Sequence, residues 1–331
     1  MRANLRLLIL AVFSVLLCFT CALGQGRVSA SGVSDDTEAL YQTASDLYDS
    51  GKLEDAIQIL RKITTLLPRW ALAHNGLCVS YTKAGDPNRA IRACKRALSL
   101  EPNLVSSHFN LGVIYDSQGR DTEAAEAFKR VLGLKPDHAE ARYSLAGVYA
   151  DLNLTKSAIE EYQDVIREHP TYRDAYFGLA ALYYKLSNYA ESAEMLQQVI
   201  RLAPNEIETR TNLGVVYIAQ RKFREAVAAL TEAIRLDPVA GVAYHYLGYA
   251  YLSQGKKKRA LEAFESAVKL QSENAESRYF LGLVSLSLGK RDEAIEQFRK
   301  LDELSSSFAK QLYAVIYHDK VISVEQAKRL P

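Results

Sequence analysis

From residue 37 to residue 308 the chain repeats itself every 34 positions, eight times over. Prolines mark the interval at Pro68, Pro102, Pro136, Pro170, Pro204 and Pro238. Small residues keep the same step at Ala56, Ala90, Ala124, Ala158, Ser192, Ala226, Ala260 and Ala294. An aromatic phase follows at Tyr81, Tyr115, Tyr149, Tyr183, Tyr217 and Tyr251. A fixed period of this length means one supersecondary unit that cannot bury its apolar face alone and stacks on copies of itself. Such an array grows by adding units, so its length does not translate into a domain count. It also argues against a buried catalytic site of the usual kind.

One unit, Val105 to His138, shows how the period is built. Leu111, Gly112 and Tyr115 share a helical face with His108, at spacings of three and four. Gly119 stops that helix. In the second half Ala124, Phe128 and Val131 fall on one face, and Pro136 breaks the helix before the next unit. Gly112 and Ala124 let two antiparallel helices approach closely, and a larger side chain at Ala124 would overpack the junction at a cost of ~1–3 kcal/mol.

Residues Asn212-Leu213-Gly214-Val215-Val216-Tyr217, followed by Ala226, Leu230, Ala233 and Pro238, give the unit its identity. The pattern resembles the tetratricopeptide repeat (TPR), and the resemblance covers residues 37 to 308. It implies an all-α fold: antiparallel helix pairs stacked into a right-handed superhelical solenoid with a concave inner groove that binds ligands. The end units depart from the pattern. Thr43 and Leu47 stand where later units have Leu and Tyr, Ser272 and Ser306 replace proline, and Ser285 replaces Tyr. Terminal repeats of a solenoid are expected to be atypical. Beyond the eighth unit, Phe308 to Ile316 predicts a closing helix that covers the last repeat through Phe308, Leu312, Tyr313 and Ile316. The C-terminal segment 309–331 is thus a capping helix and tail, with a short helix expected after Ser323 as N-cap. The polar stretch 25–36 reads as a flexible tether.

The first 24 residues are of a different kind. Arg2 and Arg6 precede an uncharged apolar run from Leu7 to Phe19, and Ala22-Leu23-Gly24 offers small residues where export cleavage needs them. This is the pattern of a secretory signal, or of a membrane anchor if it is left uncleaved. The expected location is therefore exported, periplasmic or extracellular, with membrane attachment only through residues 1–24. Without Arg2 and Arg6 the chain carries 39 basic and 39 acidic residues. That balance lacks the basic stripe of a nucleic-acid binder. The run Lys256-Lys257-Lys258-Arg259 reads as a solvated helix-turn tip. Cys78 and Cys94 remain after cleavage, and an even pair in an exported chain suggests a disulfide. The antiparallel register, however, places Cys78 opposite Ala90, one turn from Cys94, beyond the ~7 Å Cα limit of a bridge. The expectation is two small buried core residues.

Counting each unit from its first helical residue (Thr37, Ala71, Val105, Ala139, Arg173, Ile207, Gly241 and Ala275), positions 4, 7, 8 and 11 face the partner helix. Positions 5, 9 and 12 point to nearly the opposite side. In an isolated hairpin that side should be polar. Yet of its 24 residues only Asp116 is charged, and eight are Phe or Tyr. One third aromatic, against 9% over the chain, points to an interaction surface. Stacking should bury part of positions 9 and 12, leaving position 5 as the exposed track. The expected partner-binding residues are Tyr41, Tyr48, Phe109, Tyr143, Phe177, Tyr184, His245, Tyr249 and Tyr279, with Asn110 and Asn212 at position 6 for peptide-backbone hydrogen bonds. The basic residues with which some members of the family grip a C-terminal carboxylate are missing, so a carboxylate clamp is not expected.

No Gly-rich phosphate loop, His-Glu-x-x-His helix or nucleophile elbow is present. His74 and His108 occupy the same position in adjacent repeats, but stacked repeats set them ~10 Å apart, too far to share a metal. Asn153-Leu154-Thr155 matches a glycosylation acceptor in a turn. No catalytic residue, cofactor or metal is expected. The sequence reads as a scaffold for a protein or peptide partner, in envelope assembly, secretion or polysaccharide export. An accessory subunit for an enzyme in another chain, and self-association through the groove or the uncovered ends, are the alternatives.

Overall fold

The computed structural model describes residues 35–317. The expected signal, most of the expected tether and the tail beyond Tyr317 lie outside them. Among the described residues there are seventeen α-helices and no strand. Eight hairpins are formed by α1 (Asp35–Asp49) with α2 (Leu53–Leu66), α3 (Ala71–Lys83) with α4 (Pro87–Leu100), α5 (Val105–Ser117) with α6 (Asp121–Leu134), and α7 (Ala139–Asp151) with α8 (Thr155–Glu168). They continue as α9 (Arg173–Lys185) with α10 (Tyr189–Leu202), α11 (Ile207–Ala219) with α12 (Phe223–Leu236), α13 (Gly241–Ser253) with α14 (Lys257–Leu270), and α15 (Ala275–Ser287) with α16 (Arg291–Glu303). The last described helix, α17 (Ser307–Tyr317), follows the eighth hairpin. The hairpins fall into two compact units that divide after Gly178, within α9.

Each hairpin turns in the same way. The backbone N–H of position 16 donates to the carbonyl of position 11, as in Asp86 to Tyr81 and Arg120 to Tyr115, both at 2.9 Å. This Schellman-type closure needs a left-handed residue at position 15. Glycine supplies it at Gly51, Gly85, Gly119, Gly255 and Gly289. The three central units do the same with Asn153, Ser187 and Arg221, at φ 58°, 63° and 61°. A left-handed L-residue costs roughly 1–2 kcal/mol, part of which glycine returns as chain entropy in the unfolded state. Ser187→Gly is therefore expected to stabilise the protein by about 0.5–1 kcal/mol, read as a higher urea midpoint. A lowered midpoint would show that the turn at Ser187 carries no such strain.

The helices of each pair meet through matched small and large residues. Every position-20 residue, from Ala56 to Ala294, is fully buried. Ser192 fits this series because its hydroxyl donates to the Ala180 carbonyl across the hairpin at 2.8 Å. Position 8 faces position 24. A Cβ on Gly112 would lie 2.6 Å from the Phe128 ring, and one on Gly214 2.5 Å from Leu230. In the second hairpin these two positions are Cys78 and Cys94, and they form a disulfide with Cα atoms 5.2 Å apart. The expectation of two unlinked cysteines is thereby corrected. The register sets position 8 against position 24 rather than position 20, which brings the two thiols together.

Consecutive hairpins are also joined by side chains. The carbonyl at position 32, just past each second helix, accepts a hydrogen bond from position 4 of the next unit. The donors are His74 to Pro68 (3.1 Å), His108 to Pro102 (2.9 Å), Arg142 to Pro136 (2.8 Å), Tyr176 to Pro170 (3.1 Å) and Arg278 to Ser272 (2.7 Å). Five junctions use three chemically different donors for one acceptor. His74 and His108 thus serve the links between repeats. Arg142 also lies near Glu161, Asp164 and Glu168 of α8, at 3.3, 3.6 and 3.7 Å.

The closing helix seals the last hairpin. Leu312 and Ile316 are buried, and Leu312 reaches the place where a Cβ on Gly282 would sit. Tyr313, expected on the same face, instead is 44% exposed and packs against Tyr317 with ring centroids 4.6 Å apart.

Candidate functional site

The expected track at position 5 is a core. Tyr41, Tyr143, Phe177, His245 and Tyr279 are all buried, Tyr279 to 1% exposure, and Phe109 is half-buried. In four repeats the cause is position 34, in the link after the second helix or, for Phe308, in the first turn of α17. That segment crosses the first helix of its own unit and lays a side chain on position 5. Tyr41 packs on Trp70 with centroids 5.1 Å apart, Phe109 stacks on His138 at 5.2 Å, Tyr143 meets Tyr172 at 5.6 Å, and Tyr279 stacks on Phe308 at 5.0 Å. Position 24 closes the other side, with Phe109 on Phe128 and Tyr143 on Tyr162. Burial pushes the phenol pKa of Tyr41 and Tyr143 up, in keeping with sealed rings.

The polar members of the track are sealed too. Asn75 accepts at Oδ1 from Ser107 Oγ (2.8 Å) and from Asn110 Nδ2 (3.0 Å), all three buried. Asn110 therefore binds the neighbouring repeat, not a ligand. His245 Nδ1 hydrogen-bonds Ser277 Oγ at 2.8 Å in the same relation of position 5 to position 3 of the next unit. Burial lowers the His245 pKa to about 4, so the ring is neutral at pH 7. Asn212 is buried and its Nδ2 atom is inaccessible to solvent. Tyr48 is buried beneath Lys83, whose Nζ lies 4.1 Å from the ring centroid. Tyr249 is buried edge-on against Phe280. Of the eleven expected residues, Tyr184 and Phe109 alone are half-exposed.

What remains accessible on the first helices is chiefly position 12, with positions 9 and 13 beside it. Its character differs between the two compact units. In the unit that ends at Gly178, position 12 is the buried Tyr48 and then Thr82, Asp116 and Ala150, half-buried, with Asp151 exposed next to Ala150. The Asp116 carboxyl is pushed up to about 6, first by burial and then by the charges of Asp151 and Asp121. Burial thus disfavours its ionised form in the fold. In the unit that begins at Leu179, position 12 is Tyr184, Ile218, Leu252 and Leu286, all half-buried. Lys185, Ala219, Ser253 and Ser287 follow this ridge at position 13, and of these Lys185 alone is charged. The sequence carried a signal for it: four consecutive repeats hold a large apolar residue at a position that an isolated hairpin leaves in water.

An array of helix hairpins, presenting a laterally continuous face of first helices in each unit, defines an α-helical repeat scaffold. Among the described residues no group of His, Cys, Asp and Glu could hold a metal, and no helix is long and apolar enough to cross a membrane. Tetratricopeptide repeat models match residues 79–139, 117–181, 174–238, 211–269 and 247–307. The chain belongs to the tetratricopeptide repeat family, whose fold serves as a protein–protein interaction scaffold. A tetratricopeptide repeat protein from Parabacteroides merdae is similar in structure, with TM-score 0.56 at 20% identity, over 74% of this chain and 98% of that one. PilF of Pseudomonas aeruginosa aligns with TM-score 0.54 at 20% identity, over 64% of this chain and 96% of its own. The Cut9–Hcn1 hetero-tetramer of the APC/C aligns with TM-score 0.52 at 20% identity, over 84% of this chain and 55% of that chain. At this identity the likeness is one of fold. No curated protein sequence matches the chain.

Proposed function

We propose that this protein is a non-catalytic scaffold that holds a polypeptide segment against the ridge Tyr184, Ile218, Leu252 and Leu286. The observation that carries this reading is the recurrence of half-exposed, uncharged bulk at one position of four successive first helices. Equivalent positions of packed helices lie ~10 Å apart. The ridge therefore offers evenly spaced apolar anchors, suited to a segment that presents side chains on one face. Tyr184 supplies the aromatic anchor of the kind that dominates binding energy at such surfaces. The basic, apolar and small-residue pattern of residues 1–24 supports a site of action outside the cytoplasm, in envelope assembly, secretion or export.

A photo-crosslinking residue at Leu252 tests the ridge, with the exposed Glu262 of α14 as control. A polypeptide adduct is expected from the Leu252 probe and not from the Glu262 probe. It should fall at least tenfold when Tyr184→Ser and Ile218→Ser are added, since two lost anchors remove about 2–3 kcal/mol. Equal adducts from both probes, or an adduct indifferent to the serines, would remove the ridge as the binding site. The mass of the protein recovered from the cell envelope reports whether residues 1–24 have been cleaved.

A further inference from the structure

A second surface lies away from the first-helix ridge, between α2 and α4, the second helices of the first two hairpins. A cavity of about 410 Å³ opens there over α3. Its wall carries Arg61 from α2 and Arg89, Arg92 and Arg96 from α4, with His74 and Tyr81 of α3 as the floor. It adjoins a second cavity of about 440 Å³ that shares Arg61, Tyr81 and Arg89 and ends on Ile57, Ala84, Glu54 and Asp86. Arg89 is paired with Asp86 at 3.2 Å. Among the described residues Arg61, Arg92 and Arg96 have no carboxylate partner. Arg96 makes only long contacts, 3.4 Å to Ser99 Oγ and 3.5 Å to the Pro68 carbonyl.

Surface guanidinia of a charge-balanced protein normally sit among carboxylates, as the next hairpin shows. There the positions of Arg89 and Arg92 are Glu123 and Glu126, and Arg120 is paired with Glu123. The second hairpin breaks that rule: its Arg92 and Arg96, with Arg61 of α2, are three unpaired cations around one cavity. It is also the hairpin whose helices are clamped by the Cys78–Cys94 disulfide, which holds α4 and its arginines against α3. Guanidinium forks match carboxylate geometry, and a helix held in place presents them at a set spacing.

We propose that this trough binds an acidic polypeptide segment: clustered carboxylates engage Arg61, Arg92 and Arg96, and neutral residues adjoining them lie over Ile57 and Ala84. The lining favours a peptide over a run of phosphates. Positive charge is unopposed only at the end of Arg92 and Arg96, and Glu54 and Asp86 at the other would repel a uniformly charged polyanion. Both volumes fall within the ~300–1,000 Å³ typical of ligand sites.

The test is fluorescence anisotropy of the full chain with a labelled peptide of six glutamates followed by three alanines. The same peptide with glutamines serves as one comparison and inorganic tripolyphosphate as another. Saturable binding of the glutamate peptide is expected, at least tenfold weaker for Arg92→Glu with Arg96→Glu. It should be unchanged for Lys156→Glu with Arg167→Glu on α8, whose side chains are 91% and 68% exposed. Far-UV circular dichroism confirms that both variants fold. Three outcomes overturn the proposal: no saturable binding, equal binding by the Arg92/Arg96 variant, or arginine-dependent binding of tripolyphosphate tighter than that of the peptide. The last would reassign the trough to small phosphates.

Discussion

Tyr143→Ser combined with Phe177→Ser is expected to unfold much of the unit that ends at Gly178, rather than to blunt a binding surface. Both rings are 7% exposed, and Tyr143 is enclosed by Tyr162 and Tyr172. Truncating a buried aromatic costs ~3–5 kcal/mol, so the pair approaches the ~5–15 kcal/mol that holds a typical domain together. The serine hydroxyls add a desolvation penalty wherever they find no partner. A neighbouring pair in one array can couple, which makes the sum an upper figure. Urea unfolding followed at 222 nm should show a strongly lowered midpoint or loss of helical signal at zero denaturant. Ile218→Ser with Leu252→Ser, on the half-exposed ridge, should shift the midpoint far less. If the Tyr143/Phe177 variant unfolds like the native protein, position 5 is a surface after all.

The second large effect belongs to the disulfide. Cys78 and Cys94 are fully buried and close a loop of sequence separation 16. Cross-linking a loop of that size constrains the unfolded chain by ~3 kcal/mol. Cys78→Ser with Cys94→Ser is expected to lose about that much, together with the cost of two poorly packed hydroxyls. A second variant separates the cross-link from the packing. Cys78→Gly with Cys94→Phe copies the Gly112–Phe128 pair of the next hairpin, where a Cβ at the glycine would lie 2.6 Å from the ring. It should recover part of the lost stability without any covalent bond. Alkylation under denaturing conditions, with and without reductant, counts the thiols and confirms the bridge. A serine variant as stable as the native chain would show that the clamp contributes nothing.

These two results turn on what was legible in the residues. The hairpin plan was fully legible: Gly119 and Pro136 punctuate a unit, and Ala124 marks where two helices touch. The mutual placement of Cys78 and Cys94 was one step from legible. Gly112 opposite Phe128 and Gly214 opposite Leu230 are complementary in volume, and reading those pairs together sets position 8 against position 24. Counting turns from the hairpin bend instead put Cys78 one turn too far along. The ridge at Tyr184, Ile218, Leu252 and Leu286 was visible as repeated bulk, but position 5 carried the stronger aromatic signal and drew the expectation away from it. The same was true of Asn110, whose side chain turned out to serve Asn75 and Ser107.

By itself the sequence determined the period, the all-α hairpin unit and its turns. These rest on interactions within one unit: helix periodicity, a left-handed residue at position 15 and small residues where helices cross. The tertiary structure decided which face of the first helix is sealed. Periodicity alone directs position 5 away from the face of positions 4, 7, 8 and 11, yet Phe128 and Tyr162 of the second helices close one side of it and Trp70, His138, Tyr172 and Phe308, further along the chain, close the other. Helical periodicity describes directions around one axis. Burial depends on what the rest of the chain places in those directions, and aromatic residues suit a buried junction as well as an open groove.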